Sequence, residues 1–147
     1  MDIAKRLALV DRLCAREFPA AESRTECGES GPGYHMAILL TSGDFWEDDG
    51  TGWEETAAQY EAERDALVER LTAHWGPSQH FSLRGVLDRV MEGETIAEPW
   101  AALSEHVPDI HLWKAPASGR WVTLGVSYGY KELPFQLLGV VTDTDPP

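Results

Sequence analysis

The chain has 147 residues, 43% of them hydrophobic and 25% charged, which is the composition of one globular domain large enough to build a core. Its 25 acidic and 12 basic side chains leave a net charge of −13, which excludes nucleic acid and anionic membrane surfaces as partners because both would repel it. No apolar run approaches the roughly 20 residues of a membrane span, and charges interrupt the start of the chain where a signal peptide would be apolar. We therefore expect a single cytoplasmic domain over residues 1–147.

The first half of the chain shows helix, loop and strand patterns in turn. Apolar residues recur three and four apart over residues 2–18, which predicts an amphipathic helix. Glycine, proline and small polar residues indicate a loop over 19–33, and the short apolar run 34–40 predicts a buried strand. Apolar residues at helical spacing predict a long helix over about 52–75, and the glycine and proline that follow mark its end.

The second half predicts one shorter helix and then strands. Helical spacing favours a helix over about 82–92, and residues 99–107 could add one more brief helix because proline suits a first helical position. The β-branched and aromatic segments 109–114, 120–128 and 134–142 are typical of consecutive antiparallel strands.

Together these elements, in the order α-β-α-α-β-β-β, indicate an α+β fold. We expect an antiparallel sheet of about four strands packed against two or three helices, with residues 142–147 as a frayed tail.

The segment SGDFWEDDGTGWEE, residues 42–55, combines six acidic side chains with two tryptophans. It fails as a calcium loop, because a start at Asp44 puts an aspartate where glycine is required and a start at Phe45 loses the first ligand. Its second half reads as a capping box, in which Thr51 caps the following helix and Glu54 reaches back to the cap.

The remaining acids of this segment surround aromatic side chains, which favours a surface that attracts a basic protein partner and anchors it. A solvated turn with its aromatic side chains folded inward is the alternative. The predicted partner-binding residues are Asp44, Phe45, Trp46, Glu47, Asp48, Asp49 and Trp53.

A second candidate surface is the hairpin around APASG, residues 115–119. A five-residue loop there would place Trp113 opposite Trp121, with His111 on the same side of the sheet, as an aromatic face that is either covered by a helix or exposed. A tyrosine-rich turn, of the kind used in contact loops, follows the predicted strand 120–128. The possible ligand or contact face therefore comprises His111, Trp113, Trp121, Tyr128 and Tyr130.

The sequence predicts no catalytic residue, metal site or cofactor. Cys14 and Cys27 are expected to be free thiols, and no nucleophile motif joins Cys27 to His35. The histidines lack the spacing of zinc ligands, and the glycines of 28–33 run in the reverse of the dinucleotide-binding order.

The stretches LVERLTAHWGPSQ, residues 67–79, and GRWVTLGVSYGYKELPFQLLGVVTDTDPP, residues 119–147, resemble small acidic proteins encoded in actinobacterial genomes. The resemblance implies a bacterial cytosolic setting and transfers no activity. In size and charge the chain is also similar to immunity proteins and antitoxins, which neutralise basic nucleases with an acidic face.

The leading hypothesis is a non-enzymatic protein-binding module, of the immunity or antitoxin kind, for a partner with a basic surface. The alternative is a small-molecule-binding or enzymatic domain whose cleft is lined by His111, Trp113 and Trp121. A homodimer that pairs its aromatic face with itself is a third hypothesis.

Overall fold

A seven-stranded antiparallel sheet forms the middle layer of the protein, and helices pack on both of its faces. The computed structural model describes residues 3–25, 28–43, 51–130 and 132–147. The helices are α1 (Ile3–Ala15), α2 (Thr51–Trp75), α3 (Arg84–Met91) and α4 (Trp100–His106). The strands are β1 (Ser23–Thr25), β2 (Gly28–Gly31), β3 (Tyr34–Thr41), β4 (Gln79–Ser82), β5 (Asp109–Lys114), β6 (Trp121–Ser127) and β7 (Gln136–Thr142).

The sheet consists of two antiparallel meanders joined side by side. Its strand order is β1-β2-β3-β7-β6-β5-β4, so the N-terminal meander meets the C-terminal one where β3 pairs with β7. That pairing runs from Tyr34 opposite Thr142 to Thr41 opposite Gln136. The two strands that join the meanders, β3 and β7, are therefore about 100 residues apart in the sequence.

The predicted α+β class is confirmed, but the expected sheet of about four strands with two or three helices is wrong. The described residues form seven strands and four helices. The strands missed are β1, β2 and β4, with the sequences SRT, GESG and QHFS. They are short and mainly polar, and main-chain hydrogen bonds pair them without the apolar alternation that reveals a half-buried strand.

Each face of the sheet carries its own core. On the first face, α1 and α2 cover the sheet with apolar residues that include Val10, Leu67 and Leu71. On the second face, α3 and α4 do so with residues that include Leu83 and Trp100. Each such side chain contributes roughly 1.5–3 kcal/mol when it is removed from water. The strand residues of the second-face core belong to β5 and β7. Part of the same face beside α4 is not covered, and a groove lies there.

The β5–β6 hairpin differs from its predicted register by one residue. Trp113 lies opposite Val122, and Lys114 lies opposite Trp121. The Ala115 N–H donates to the Arg120 carbonyl at 2.8 Å, so the pairing extends one residue into the expected loop and shortens it. Because successive side chains of a strand point to opposite faces, this shift separates the two tryptophans: Trp113 joins the first-face core and Trp121 packs against the second.

The end of the chain is tied to the sheet and to two tryptophans. Thr142, where the frayed tail was expected to begin, is the last residue of β7 and is fully buried. The indole N–H of Trp100 donates to the Thr144 carbonyl at 3.1 Å, and that of Trp121 donates to Asp145 Oδ1 at 2.9 Å. Two residues of the expected tail, Thr144 and Asp145, therefore contact tryptophans of the folded domain.

Candidate functional site

The acidic segment predicted to bind a partner lies largely outside the described residues, so this assignment stays a prediction for Asp44, Phe45, Trp46, Glu47, Asp48 and Asp49. The side chain of Thr51 also lies outside them, so the capping box is equally untested. On the N-terminal side of the segment, the Ser42 N–H donates to the Phe135 carbonyl at 2.9 Å, and Ser42 Oγ accepts from the Phe135 N–H at 2.8 Å. The segment therefore leaves the sheet beside the chain that enters β7.

Trp53, the remaining member of that predicted surface, belongs to an interior aromatic cluster. Its indole N–H donates to the Gly129 carbonyl at 2.5 Å. Its ring centroid lies 5.3 Å from that of Phe135 and 6.1 Å from that of Tyr128. A partly buried indole with these contacts supports the fold at this end of the sheet.

Tyr128 is held by α2. Its hydroxyl donates to Glu61 Oε2 at 2.8 Å. Burial, together with the hydrogen bond to that carboxylate, raises the pKa of Tyr128 to about 12. Tyr130, two residues on, is 65% exposed at the tip of the turn between β6 and β7. Only the second of these two tyrosines presents most of its surface to solvent.

His111, Trp113 and Trp121 do not form the common face that was predicted. His111 stacks on His80 with 4.4 Å between ring centroids, and its Nδ1 lies 3.1 Å from Ser78 Oγ. Trp113 is buried on the same face and donates its indole N–H to the Gly76 carbonyl at 3.1 Å. Trp121 lies on the other face of the sheet. The structure therefore does not bring Trp121 together with His111 and Trp113, and the small-molecule and homodimer hypotheses that used these residues stay predictions.

The structure instead contains a groove beside α4 on the second face of the sheet, with a cavity volume of about 450 Å³. We call it the α4 groove. Its floor is formed by β3 and β7, and its far wall is the turn between β6 and β7. The apolar residues that line it include Met36, Ile38, Leu133 and Leu138.

Two apolar side chains of the groove are strongly exposed. Ile38 on β3 is 40% exposed, and Leu133 on the turn is 55% exposed. Ile38 lies beside a β-bulge, because the pairing with β7 shifts between Ile38 and Leu40. Exposed apolar residues that adjoin in a concave surface are typical of a binding site, whereas scattered ones are not.

Carboxylates border this apolar floor. Glu29 on β2, Glu98 before α4 and Glu105 at its end all line the groove, and none of its described lining residues is lysine or arginine. Glu98 Oε2 accepts the Ala102 N–H at 3.0 Å, which orients that carboxylate at the start of α4. Arg24 approaches Glu29 at 3.9 Å, but its side chain is 90% exposed and so contributes little.

Tyr34 lies at the acidic end of the groove. It is buried, and burial is the main reason that its pKa is raised above the ordinary value. The carboxylates of Glu22, Glu98 and Glu29 add to that rise, and Glu22 also hydrogen-bonds to the phenol. The negative potential that disfavours a phenolate here would favour a cationic group of a ligand.

A buried serine and histidine face each other at the β2–β3 pairing on the first face. Ser30 Oγ lies 2.6 Å from His35 Nδ1, and His35 Nε2 lies 3.2 Å from the Arg16 carbonyl. The Phe18 ring covers the imidazole at 4.8 Å. This arrangement joins the chain after α1 to the sheet. Cys27, which no nucleophile motif joins to His35, lies outside the described ranges.

Within the described ranges, no group of three or more histidine, cysteine, aspartate or glutamate side chains is placed to hold a metal ion. No helix in that part of the chain is both long and apolar enough to cross a bilayer.

Sequence reasoning missed the α4 groove, because its residues come from five separate elements and the turn between β6 and β7. The run 34–40 was correctly identified as a strand, but its pattern does not indicate which neighbours cover each face. Glu98 and Glu105 at the two ends of a short helix were the available signal, and two exposed acids are common on any helix.

No protein-family model, no curated protein and no solved structure matches the chain.

Proposed function

We propose that the protein is a binding module for a basic protein partner and that the α4 groove is its contact surface. The observation that carries this proposal is the apolar floor of the groove with carboxylates around it. Interfaces combine a desolvated apolar centre with a polar rim, and the exposed Ile38 and Leu133 supply such a centre. Exposed carboxylates at the rim would steer a basic partner towards it.

The net charge of the whole chain also favours a basic partner. Its net charge of −13 attracts a basic protein over distances up to about a Debye length, roughly 8–10 Å at ordinary ionic strength. The same charge repels a second copy of the chain, so a partner of opposite charge suits the groove better than a homodimer does. Inhibition of a basic enzyme, as by immunity proteins and antitoxins, is the form of this function that size and charge favour.

The test starts with basic proteins that the immobilised chain captures at low salt from its source organism, each identified and then purified. Association with each is measured for the wild type and for Glu29→Gln/Glu98→Gln/Glu105→Gln. We expect the variant to associate about 3- to 10-fold more slowly and with a weaker dependence on salt.

The matched control removes the same charge from exposed positions on α2, in Glu54→Gln/Glu55→Gln/Glu69→Gln, and it should associate much as the wild type does. Equal association by the wild type and both variants would contradict the proposed surface. Capture of no basic protein would contradict the proposed function.

A small organic ligand is the second candidate occupant, because about 450 Å³ falls within the range of small-molecule pockets. A thermal-shift screen with organic cations and metabolites addresses it. A compound at 100 times its dissociation constant adds about 2.7 kcal/mol of stability, and Ile38→Ser should abolish that gain if the compound binds in the groove.

A further inference from the structure

The two ends of the α4 groove differ in chemistry. Tyr34 and the carboxylates of Glu29 and Glu98 lie at one end, whereas Ile38 and Leu133 line the other part. Both Tyr34 and Ile38 belong to β3 and, being four residues apart, point to the same face. At about 3.3 Å per residue, their positions on the strand are separated by about 13 Å.

The geometry points to a two-point recognition rule, which rests on the proposed function. We infer that the groove binds a partner segment through a lysine or arginine at the Tyr34 end and a bulky apolar side chain at the Ile38 end, about 13 Å apart. In an extended segment that distance separates residues about four positions apart.

The acidic end suits a cationic side chain for reasons beyond charge. The carboxylates of Glu29 and Glu98 come from different elements, both act on the same tyrosine, and all three residues line the groove. A guanidinium can bond two carboxylates at once through its several N–H donors. The amide that orients Glu98 reduces the entropy lost when such a contact forms.

The apolar end suits a branched or aromatic side chain. Ile38 belongs to the floor of the groove and Leu133 to its far wall, and Leu138 lies opposite Ile38 in the β3–β7 pairing and is almost fully buried. An apolar side chain between them would bury surface that the free protein exposes. Buried apolar anchors of this kind provide most of the affinity at interfaces, and the carboxylates at the other end of the groove provide specificity.

The experiment selects random twelve-residue peptides displayed on phage against the immobilised full chain. The enriched peptides are synthesised, and their dissociation constants are measured for the wild type, Ile38→Ser, Glu29→Gln/Glu98→Gln and the control Glu54→Gln/Glu69→Gln. We expect enriched peptides to carry lysine or arginine about four residues from a bulky apolar residue. Each groove variant should weaken binding about tenfold or more, and the control should not.

Spacing variants of the best peptide separate the two proposals. Moving the cationic residue two positions should weaken binding to the wild type about tenfold, and that loss should be absent in Glu29→Gln/Glu98→Gln. If peptides bind in the groove whatever the spacing, the two-point rule is overturned and the proposed function stands. If enriched peptides bind every variant alike, or if no peptide is enriched, both are overturned.

Discussion

Ser30 and His35 form a hydrogen bond of 2.6 Å that fixes the tautomer of a buried imidazole. Because the Arg16 carbonyl can only accept, His35 Nε2 carries the proton and Nδ1 accepts the Ser30 hydroxyl. Protonation of Nδ1 would turn the Ser30 hydroxyl into the acceptor and would place a positive charge in a buried site. Burial lowers the pKa of His35, although the Arg16 carbonyl partly opposes that change.

We expect the free energy of unfolding to fall as pH falls below about 6.5, the ordinary histidine pKa. The pKa values of His35 and His111 are both lowered, mainly by burial, so the unfolded chain takes up protons at a higher pH than the native protein does. Their contribution to stability is complete above the unfolded pKa and is lost as pH falls towards the native values. Urea unfolding at several values between about pH 7.5 and 5.5 measures the slope of the free energy of unfolding against pH.

His35→Gln and His111→Gln should each reduce that slope, and the double variant should reduce it further. The restricted range avoids most of the titration of carboxylates. A double variant with the wild-type slope would show that these histidines are not its source.

Arg6→Ala should lower the free energy of unfolding by about 3–5 kcal/mol. The Arg6 side chain is 1% exposed on α1, and its Nη1 lies 2.8 Å from Glu63 Oε2 on α2. The substitution leaves a cavity between the helices and removes the partner of a partly buried carboxylate. Lys5→Ala, one residue away and exposed, is the control and should stay within about 0.5 kcal/mol in the same urea experiment.

Cys14 should react slowly with iodoacetamide in the native protein. Burial raises its pKa from 9.0 to about 11, with Asp11 adding to the rise. Two pKa units reduce the thiolate fraction about 100-fold at neutral pH. The rate is measured in Cys27→Ser, which leaves one thiol, and urea should restore it to that of an ordinary cysteine. A native rate equal to the unfolded rate would contradict the assignment.

Leu133→Ala and Phe135→Ala should affect stability very differently although only one residue separates the two positions. Leu133 is 55% exposed, so its loss should cost within about 0.5 kcal/mol. Phe135 is fully buried, with its ring 5.3 Å from Trp53 and 5.7 Å from Tyr60, and its loss should cost about 3–5 kcal/mol. Thermal unfolding of both variants checks this. A large loss in Leu133→Ala would show that the groove wall serves the fold.

Local sequence patterns determined the long elements of the fold. The helical periodicity before Gly76 predicted α2, and the helix ends there because this glycine adopts a φ of 92° while its N–H donates to the Thr72 carbonyl. Apolar and β-branched runs similarly located β3, β5, β6 and β7. These signals are local, because burial of one face repeats along each element with a fixed period.

Tertiary structure alone decided where side chains meet. A hairpin loop one residue shorter than expected moved Trp121 to the face opposite Trp113, since a slip of one residue reverses every side chain of a strand. The α4 groove exists because a seven-residue helix covers only part of the second face and leaves Ile38 exposed. The sequence by itself specified composition, charge and the period of each element, whereas pairing between distant strands and the reach of α4 created the surface on which function is proposed.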